Sequence, residues 1–406
     1  MRILFITQWF QPEQMFKGLP FARELLKLGH EVEVLTGFPN YPEGKIYKGY
    51  KIRFLQRETI DGVSVIRVPL YPSHDRSGWR RFLNYVSFAL SAAIIGPWVV
   101  KKADVAYVYH PPATIGFPAA MIKLLRGIPF VYDVQDLWPD TLTATGMFTN
   151  KLGLWLVDRW CRFVYWAANK IIVLSPGFKN ALIERGVPGD KIKVIYNWVD
   201  DAMVKPALKN PVLAAKLGLD GKFNIVFAGN MGKAQALEAV IAAANILKEE
   251  YPNLQFVFVG TGVEVENLKT KTHNAGLENI VFIPQQPLSE MGAILVLADV
   301  LLVHLKDAPL FRITIPSKIQ AYMAVGRPIL VGVRGDAAAL VVNAKAGFSC
   351  LPENAESIAD GVRKFLRISR QELDAMGENG RVFYQQELAL AVGTKQFAGV
   401  LESVVQ

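Results

Sequence analysis

Two short segments in the second half of this chain have the residue types and spacing to hold an anion. The first, Ala228-Gly229-Asn230-Met231-Gly232-Lys233, follows an apolar run that reads as a strand and opens what reads as a helix. Glycines let the backbone approach a phosphate closely, a helix start offers free N–H groups, and Lys233 adds a compact cation. A tight connection without any ligand has the same pattern, so this loop alone is a weak signal. The second segment runs from Pro309 to Pro328. Pro316 and Ser317 read as a helix start, Lys318–Val325 as its body, and Gly326 with Arg327-Pro328 as its stop. It follows the buried run Val300–His304, so it belongs at the carboxyl edge of a parallel sheet, where open α/β folds bind ligands. Arg312, Thr314, Ser317, Lys318 and Gln320 are the donors it offers.

The first half holds chemistry of a different kind. His110, in Tyr109-His110-Pro111-Pro112, ends a buried strand. A lone histidine is more often a satisfied structural residue, but its place at a strand's carboxyl end supports a part in positioning or catalysis. Asp133-Val134-Gln135-Asp136-Leu137-Trp138-Pro139-Asp140 also follows a strand end. Asp136 and Trp138 there offer a hydrogen-bonding carboxylate beside a stacking ring, while a helix cap is the plainer role for the aspartate. Near the N-terminus, Lys17-Gly18 precedes a helix, and Lys17 reads equally as a phosphate contact or a solvated loop residue. No histidine, cysteine or acid cluster has metal-ligand spacing.

Elements that position these residues follow from the hydrophobic pattern. Strands are expected at Ile3–Thr7, Glu31–Thr36, Ser64–Pro69, Val105–His110, Phe130–Val134, Ile171–Ser175 and Lys193–Tyr196, with a helix at Leu19–Leu28. A second set follows at Asn224–Ala228, Gln255–Gly260, Ile280–Ile283, Val300–His304 and Pro328–Gly332, with helices at Ala236–Glu250 and Ser317–Val325. Strand and helix in alternation mean doubly wound parallel sheets, an α/β fold. At 406 residues two domains are expected, and Asp200-Asp201, Pro206, Pro211 and Gly218 interrupt the pattern between them.

The chain is 51% apolar and 20% charged, which excludes disorder. Its net charge of +9 suits a phosphorylated substrate or anionic lipid; without zinc-finger spacing or an RNP-like strand, nucleic acid is the weakest partner. Two distant cysteines, Cys161 and Cys350, fit a reducing cytoplasm better than a disulfide framework. Mean hydropathy is +0.22. Much of it comes from Phe82–Val100, flanked by Arg76, Arg80, Arg81, Lys101 and Lys102. Spanning, interfacial and buried-core helices all fit that stretch; basic flanks with Trp79, Tyr85 and Trp98 favour the interface, so an anionic membrane surface is the expected partner of 76–102. A second aromatic and basic helix, Leu154–Ala168, is a candidate to extend that lipid-facing surface, with core packing expected for most of its rings.

Taken together, these motifs resemble retaining GT-B glycosyltransferases of family 4 over nearly the whole chain. The resemblance implies two Rossmann-like domains with parallel sheets facing one cleft. They are an acceptor domain at 1–200, with a closing helix at 381–406 packing back on it, and a nucleotide-sugar domain at 201–380. It implies that Gly18, Gly229, Asn230, Gly232, Lys233, Arg312, Thr314, Ser317, Lys318 and Gln320 meet the donor and its diphosphate. His110, Lys233 and Asp136 take catalytic roles, and Lys17, Asp136 and Trp138 meet the acceptor. No cofactor or metal is expected, because basic groups and helix starts stabilise the leaving diphosphate. Gly37–Gly44 and Gly49-Tyr50 resemble the N-acetyl-L-fucosaminyl and colanic-acid subgroup of bacterial surface polysaccharide assembly. That implies a UDP-sugar donor, a lipid-linked saccharide acceptor and a peripheral place on the inner face of the plasma membrane.

The family's two glutamates, eight positions apart, fall here on Ile313 and Ala321. Gln320 or Tyr322 are the candidates to replace the ribose contact. Their loss keeps two alternatives open, a UDP-sugar epimerase on this fold and a non-catalytic scaffold subunit.

Overall fold

Runs such as Ile3–Ile6, Val105–Tyr109 and Phe130–Val134 are buried from end to end, as strands covered by helices on both faces must be. The computed structural model describes residues 1–13, 15–73, 78–144, 150–199 and 208–405. Of the sequence expectations, Arg76 and the linker residues Asp200, Asp201 and Pro206 lie outside them. Contacts divide the chain into two compact units, Met1–Tyr196 with Gly393–Gln406, and Asn197–Val392. The closing segment of the first unit thus begins at Gly393; the sequence reading began it at Arg381.

The first unit contains β1 (Arg2–Ile6), β2 (Glu31–Gly37), β3 (Gln56–Ile60), β4 (Val63–Val68), β5 (Val105–Tyr109), β6 (Phe130–Val134), β7 (Lys170–Val173) and β8 (Ile192–Val194). Their order is β3-β4-β2-β1-β5-β6-β7-β8, parallel except for the antiparallel β3–β4 pair. From β1 the chain builds outward one way through β2 and β4, then returns to the other side of β1 with β5. The loops after β1 and β5 therefore part above the sheet, and that parting is where open α/β sheets accept ligands. Lys17, Gly18 and His110 lie on these two loops.

The second unit contains β9 (Phe223–Ala228), β10 (Leu254–Val259), β11 (Ile280–Ile283), β12 (Val300–His304), β13 (Ile329–Gly332) and β14 (Gly347–Ser349). The order β11-β10-β9-β12-β13-β14 is wholly parallel, and its reversal falls between β9 and β12. The Gly229 loop and the Pro-Ser-Lys segment follow those two strands. The helix Glu238–Leu247, which follows the Gly229 loop, rests on a core that includes Phe227, Phe256, Phe258, Val300 and Leu330. Glycines bring backbones together at this edge. A side chain on Gly260 would meet the Gly229 carbonyl at 2.2 Å, and one on Gly262 the Met231 carbonyl at 2.2 Å.

Two helices hold the surroundings in place. Gly78–Val99 packs against β2, β4 and the helix Gly116–Arg126, burying Phe88, Ala92, Ala93 and Gly96. By length and composition it could cross a membrane, but one face is committed to its own unit. The Arg370–Val405 stretch passes the same test and is interrupted by a π-helical turn at Tyr384–Leu388 and an extended Ala389. After that break, Phe397 enters the first unit's core, edge-on to Phe21 at 5.3 Å and to Tyr107 at 5.6 Å.

Beneath Phe397 lies a charge pair the sequence reading did not anticipate. Lys17 Nζ donates to Asp133 Oδ2 at 2.7 Å, with both side chains fully enclosed. The Tyr107 hydroxyl donates to the same oxygen at 2.6 Å and Gln135 Nε2 to Oδ1 at 2.7 Å. The pair fastens the loop after β1 to the end of β6. Lys17→Met should lower the stability of this unit by about 3–5 kcal/mol, because it strands a buried carboxylate. Adding Asp133→Asn should recover part of that loss, as measured by urea unfolding; equal stability for the single and double variants would mean no charge coupling.

Candidate functional site

In the second unit, the two segments singled out from the sequence come together at the reversal between β9 and β12. Lys318, first residue of the Lys318–Val325 helix, reaches the Gly229 turn: a Cβ built on Gly229 would stand 3.4 Å from its Nζ. The ammonium lies 3.7 Å from the centre of the Phe227 ring. No acid among the described residues pairs with it, and desolvation brings its pKa down to about 7. Tyr322, one turn further on, is tied to the end of β9, its hydroxyl accepting the Ala228 N–H at 3.0 Å. An uncompensated cation thus sits at an exposed glycine turn, held there by the next turn of the same helix. Such a group gains a great deal from a bound anion.

Several expected donors are engaged elsewhere. The Gly229 N–H donates to Val259 O at 2.9 Å, and the Gly232 N–H to Gln235 Oε1 at 2.9 Å, so neither amide is open to a phosphate as expected. The residues after Gly232 form a 3-10 turn, Lys233–Gln235, before the helix Glu238–Leu247 begins. Lys233 and Asn230 remain exposed on this turn. Ser317 does not cap its helix, having helical dihedrals and an exposed side chain. Gln320 turns back on the helix start, its buried amide nitrogen donating to Pro316 O at 3.0 Å and Ser317 O at 2.9 Å once the amide is oriented to match its neighbours. Neither Gln320 nor Tyr322 is therefore free for a ribose. Arg312 gives its Nε to Asp307 Oδ1 at 2.8 Å, and Arg334 approaches the same carboxylate at 3.3 Å. Thr314 Oγ1 donates to Leu310 O at 2.7 Å. His304 is structural: Nδ1–H donates to Gln235 O at 2.7 Å and Nε2 accepts the Glu353 N–H at 3.1 Å.

In the first unit, His110 is buried and its Nδ1 has no hydrogen-bond partner. Desolvation lowers its pKa to about 3, so it is a neutral imidazole at any working pH and serves better as a hydrogen-bond partner than as a cation. Its ring stands edge-on to Trp138 at 5.6 Å. Asp136 is part-buried, has a pKa raised by desolvation and caps no helix. Lys17, fully enclosed against Asp133, is neither the solvated loop residue nor the open acceptor contact considered from sequence. Gly18 is packed against Gln11 and Met15, and Gln11 Oε1 already accepts the Leu19 N–H at 3.3 Å, filling the helix start.

One residue that sequence did not single out organises this end. Glu13 Oε1 accepts the N–H groups of Asn40 and Tyr41, each at 2.7 Å, and Oε2 that of Phe10 at 3.1 Å. Burial raises its pKa to about 7 against the lowering effect of those bonds. It pins the Gly37–Gly44 loop to the loop after β1. A single glutamate in a turn carries no pattern that would reveal this.

Residues 19–198 match the family described as Glycosyl transferase 4-like domain, and residues 211–383 match Glycosyl transferases group 1. This chain is a GT-B glycosyltransferase of the family 4-like kind. WcaI of Escherichia coli (strain K12), named as a colanic acid biosynthesis glycosyl transferase, is 28% identical, covering 84% of this chain and 86% of that one. WbjE of Pseudomonas aeruginosa, named as a glycosyltransferase, is 23% identical over 75% and 76% of the two chains. Among solved structures, Anabaena HepE in complex with UDP superposes with a TM-score of 0.70 at 17% identity, over 99% of this chain and 100% of that one. The transferase carries no glutamate at Ile313 or Ala321, and the acid on the loop before its Pro-Ser-Lys turn, Asp307, is held by Arg312 and Arg334.

The Lys318 ammonium gives this glycosyltransferase a pH signature. The free form releases its proton as pH rises through about 7, whereas a bound anion holds the proton on. Affinity for a diphosphate at this turn should therefore weaken between roughly pH 7 and pH 9, by at most about tenfold per unit. Calorimetric titration should show this for the natural chain, and a weaker, pH-flat affinity for Lys318→Met.

Proposed function

We propose that this glycosyltransferase moves a sugar from a UDP-sugar to a lipid-linked saccharide during synthesis of a bacterial surface polysaccharide. The observation that carries the donor reading is the unpaired Lys318 ammonium at the Gly229 turn, with Lys233 exposed on the same loop. Two cations at adjoining turns suit a diphosphate leaving group without a metal. The UDP bound by the HepE structure supports the choice of nucleotide, and the name of the colanic acid relative supports the pathway class. The Gly37–Gly44 resemblance favours N-acetyl-L-fucosamine or a related 6-deoxy amino sugar as the group transferred.

Retention of configuration follows from the family resemblance. In a front-side displacement the bond from the anomeric carbon to the β-phosphate oxygen breaks as the acceptor oxygen bonds to the same face. The acceptor's proton passes to the departing phosphate. Neutral His110 positions a sugar hydroxyl through Nδ1, Lys233 and Lys318 hold the diphosphate, and Asp136 with Trp138 orients the acceptor.

A peripheral place on the inner membrane face is supported by the outer faces of three neighbouring helices. Gly78–Val99 exposes Trp79, Phe82, Leu90, Ile94 and Trp98, the last at 79%. Gly116–Arg126 exposes Leu124 and Leu125. Lys151–Ala167 exposes Leu152, Trp155, Leu156, Phe163 and Trp166, so most of its rings lie outside the core to which sequence assigned them. Tyr165 is buried in the core, and Trp160 is held inward through Nε1 to Ala113 O at 3.0 Å. Across the outer faces of these helices the single acid, Asp158, is outnumbered by Arg80, Lys123, Arg126, Lys151, Arg159 and Arg162. Apolar rings among basic groups match an anionic bilayer surface.

Incubating UDP-, GDP- and TDP-sugars with bacterial membrane lipid should give transfer from a UDP-sugar, and Lys233→Ala should cut turnover at least about tenfold, or 1.4 kcal/mol in the barrier. Sugar conversion without acceptor would mean an epimerase instead. Flotation on phosphatidylglycerol vesicles should fall at least about tenfold for Ile94→Glu with Trp98→Glu; undiminished flotation would remove this face from membrane binding.

A further inference from the structure

The first unit's sheet reversal holds a cation and three aromatic rings that the donor reading leaves unused. Gln8 and Trp9, on the loop after β1, are buried at 0% and 6% exposure. Yet Gln8 Oε1 and Trp9 Nε1 have no hydrogen-bond partner. Each enclosed, unpartnered polar atom costs on the order of 1–3 kcal/mol, a cost that a ligand's hydroxyl or phosphate oxygen relieves. The Trp9 ring lies 5.2 Å from Tyr41 and 6.0 Å from Tyr85. Tyr85 comes from the inner side of the Gly78–Val99 helix. Its carbonyl lies 3.4 Å from Thr114 Oγ1, four residues past His110, so the cluster adjoins the loop after β5.

Arg81 precedes Tyr85 by one helical turn and shares its face. It lies close enough for its charge to act on the Tyr85 phenol. Its Nε is enclosed without a hydrogen-bond partner, and its guanidinium forms no ion pair among the described residues. Several other arginines of this unit are committed: Arg57 to Val99 O, Arg67 to Glu58 and Gly37 O, Arg185 to Trp138 O and Asp140. Asn84, between Arg81 and Tyr85, is likewise spent, accepting from Gln8 Nε2 at 2.6 Å and donating to Tyr71 O at 2.7 Å. It locks the helix to the loop, and Arg81 is left presented.

We infer that Arg81, with Trp9 and Tyr85, forms a second anion site that holds the diphosphate of the lipid-linked acceptor and stacks its first sugar. The guanidinium fork suits two phosphate oxygens, the rings suit a sugar face, and the indole N–H suits a hydroxyl. The inference rests on the lipid-linked acceptor reading above and adds its binding residues.

Farnesyl diphosphate, a short soluble probe of this chemistry, separates the outcomes. Calorimetry on the whole chain should show it binding with UDP saturating. Arg81→Met should weaken it at least tenfold, Arg81→Lys by less, and both should keep the natural affinity for UDP and natural flotation on phosphatidylglycerol vesicles. Farnesyl diphosphate binding unchanged by Arg81→Met, or absent from the natural chain, overturns the inference. Displacement by UDP assigns the probe to the donor site, and a parallel loss of flotation assigns Arg81 to bilayer headgroups; either result also overturns it. A natural chain that binds the probe but transfers no sugar to any lipid-linked saccharide would count against the proposed function while leaving the Arg81 site standing.

Discussion

A parallel sheet that grows on both sides of its first strand must part the chain above that strand, and everything chemical in this protein is arranged around two such partings. In each unit the loops after the first strand and after the returning strand leave in opposite directions, so the crevice between them is not filled by the backbone. Helix starts, glycines and the ends of buried strands converge there because the topology sends them there. The rest of each unit, from the apolar strands to the helices on either face, keeps those loop ends in register.

The two crevices treat a lysine in opposite ways. Lys17 is enclosed, paired with Asp133 and roofed by Phe397, 4.4 Å from its ammonium, so its charge is used within the fold. Lys318 has an aromatic face and a glycine turn for neighbours and no acid among the described residues. A buried pair is self-sufficient; a desolvated single charge has a use for something from outside. That contrast, more than any motif, separates the structural cation from the one proposed to meet the diphosphate.

The parallel α/β class, most strand positions and the glycine and Pro-Ser-Lys turns were legible in the sequence because continuous apolar runs and helix stop signals leave few alternatives; the order of strands within each sheet was not. The edge strand β3 was not, since Gln56–Ile60 is polar and only alternately shielded, and β14 is three residues long. Within the site, residue types were readable and partners were not. Nothing in the spacing of Gln320 tells that its amide turns back on Pro316 and Ser317, or that Arg312 is taken by Asp307. Lys17 read as a loop residue because its partner lies 116 positions away. The aromatic residues of Lys151–Ala167 suggested a core, when the side bearing Trp155 and Trp166 is open.

The proton on Lys318 has a consequence for where such a catalyst works best. With half-charge near pH 7, its occupancy responds to small changes in local acidity. An anionic leaflet concentrates protons: a surface potential of about −30 mV lowers the pH beside it by about half a unit. Close to such a leaflet more of the molecules carry the ammonium than in the open solution. If the proposed place at the lipid surface holds, nucleotide uptake would draw a proton in and departure of the spent nucleotide would return it, so that the leaflet would favour the binding-competent form with no moving part.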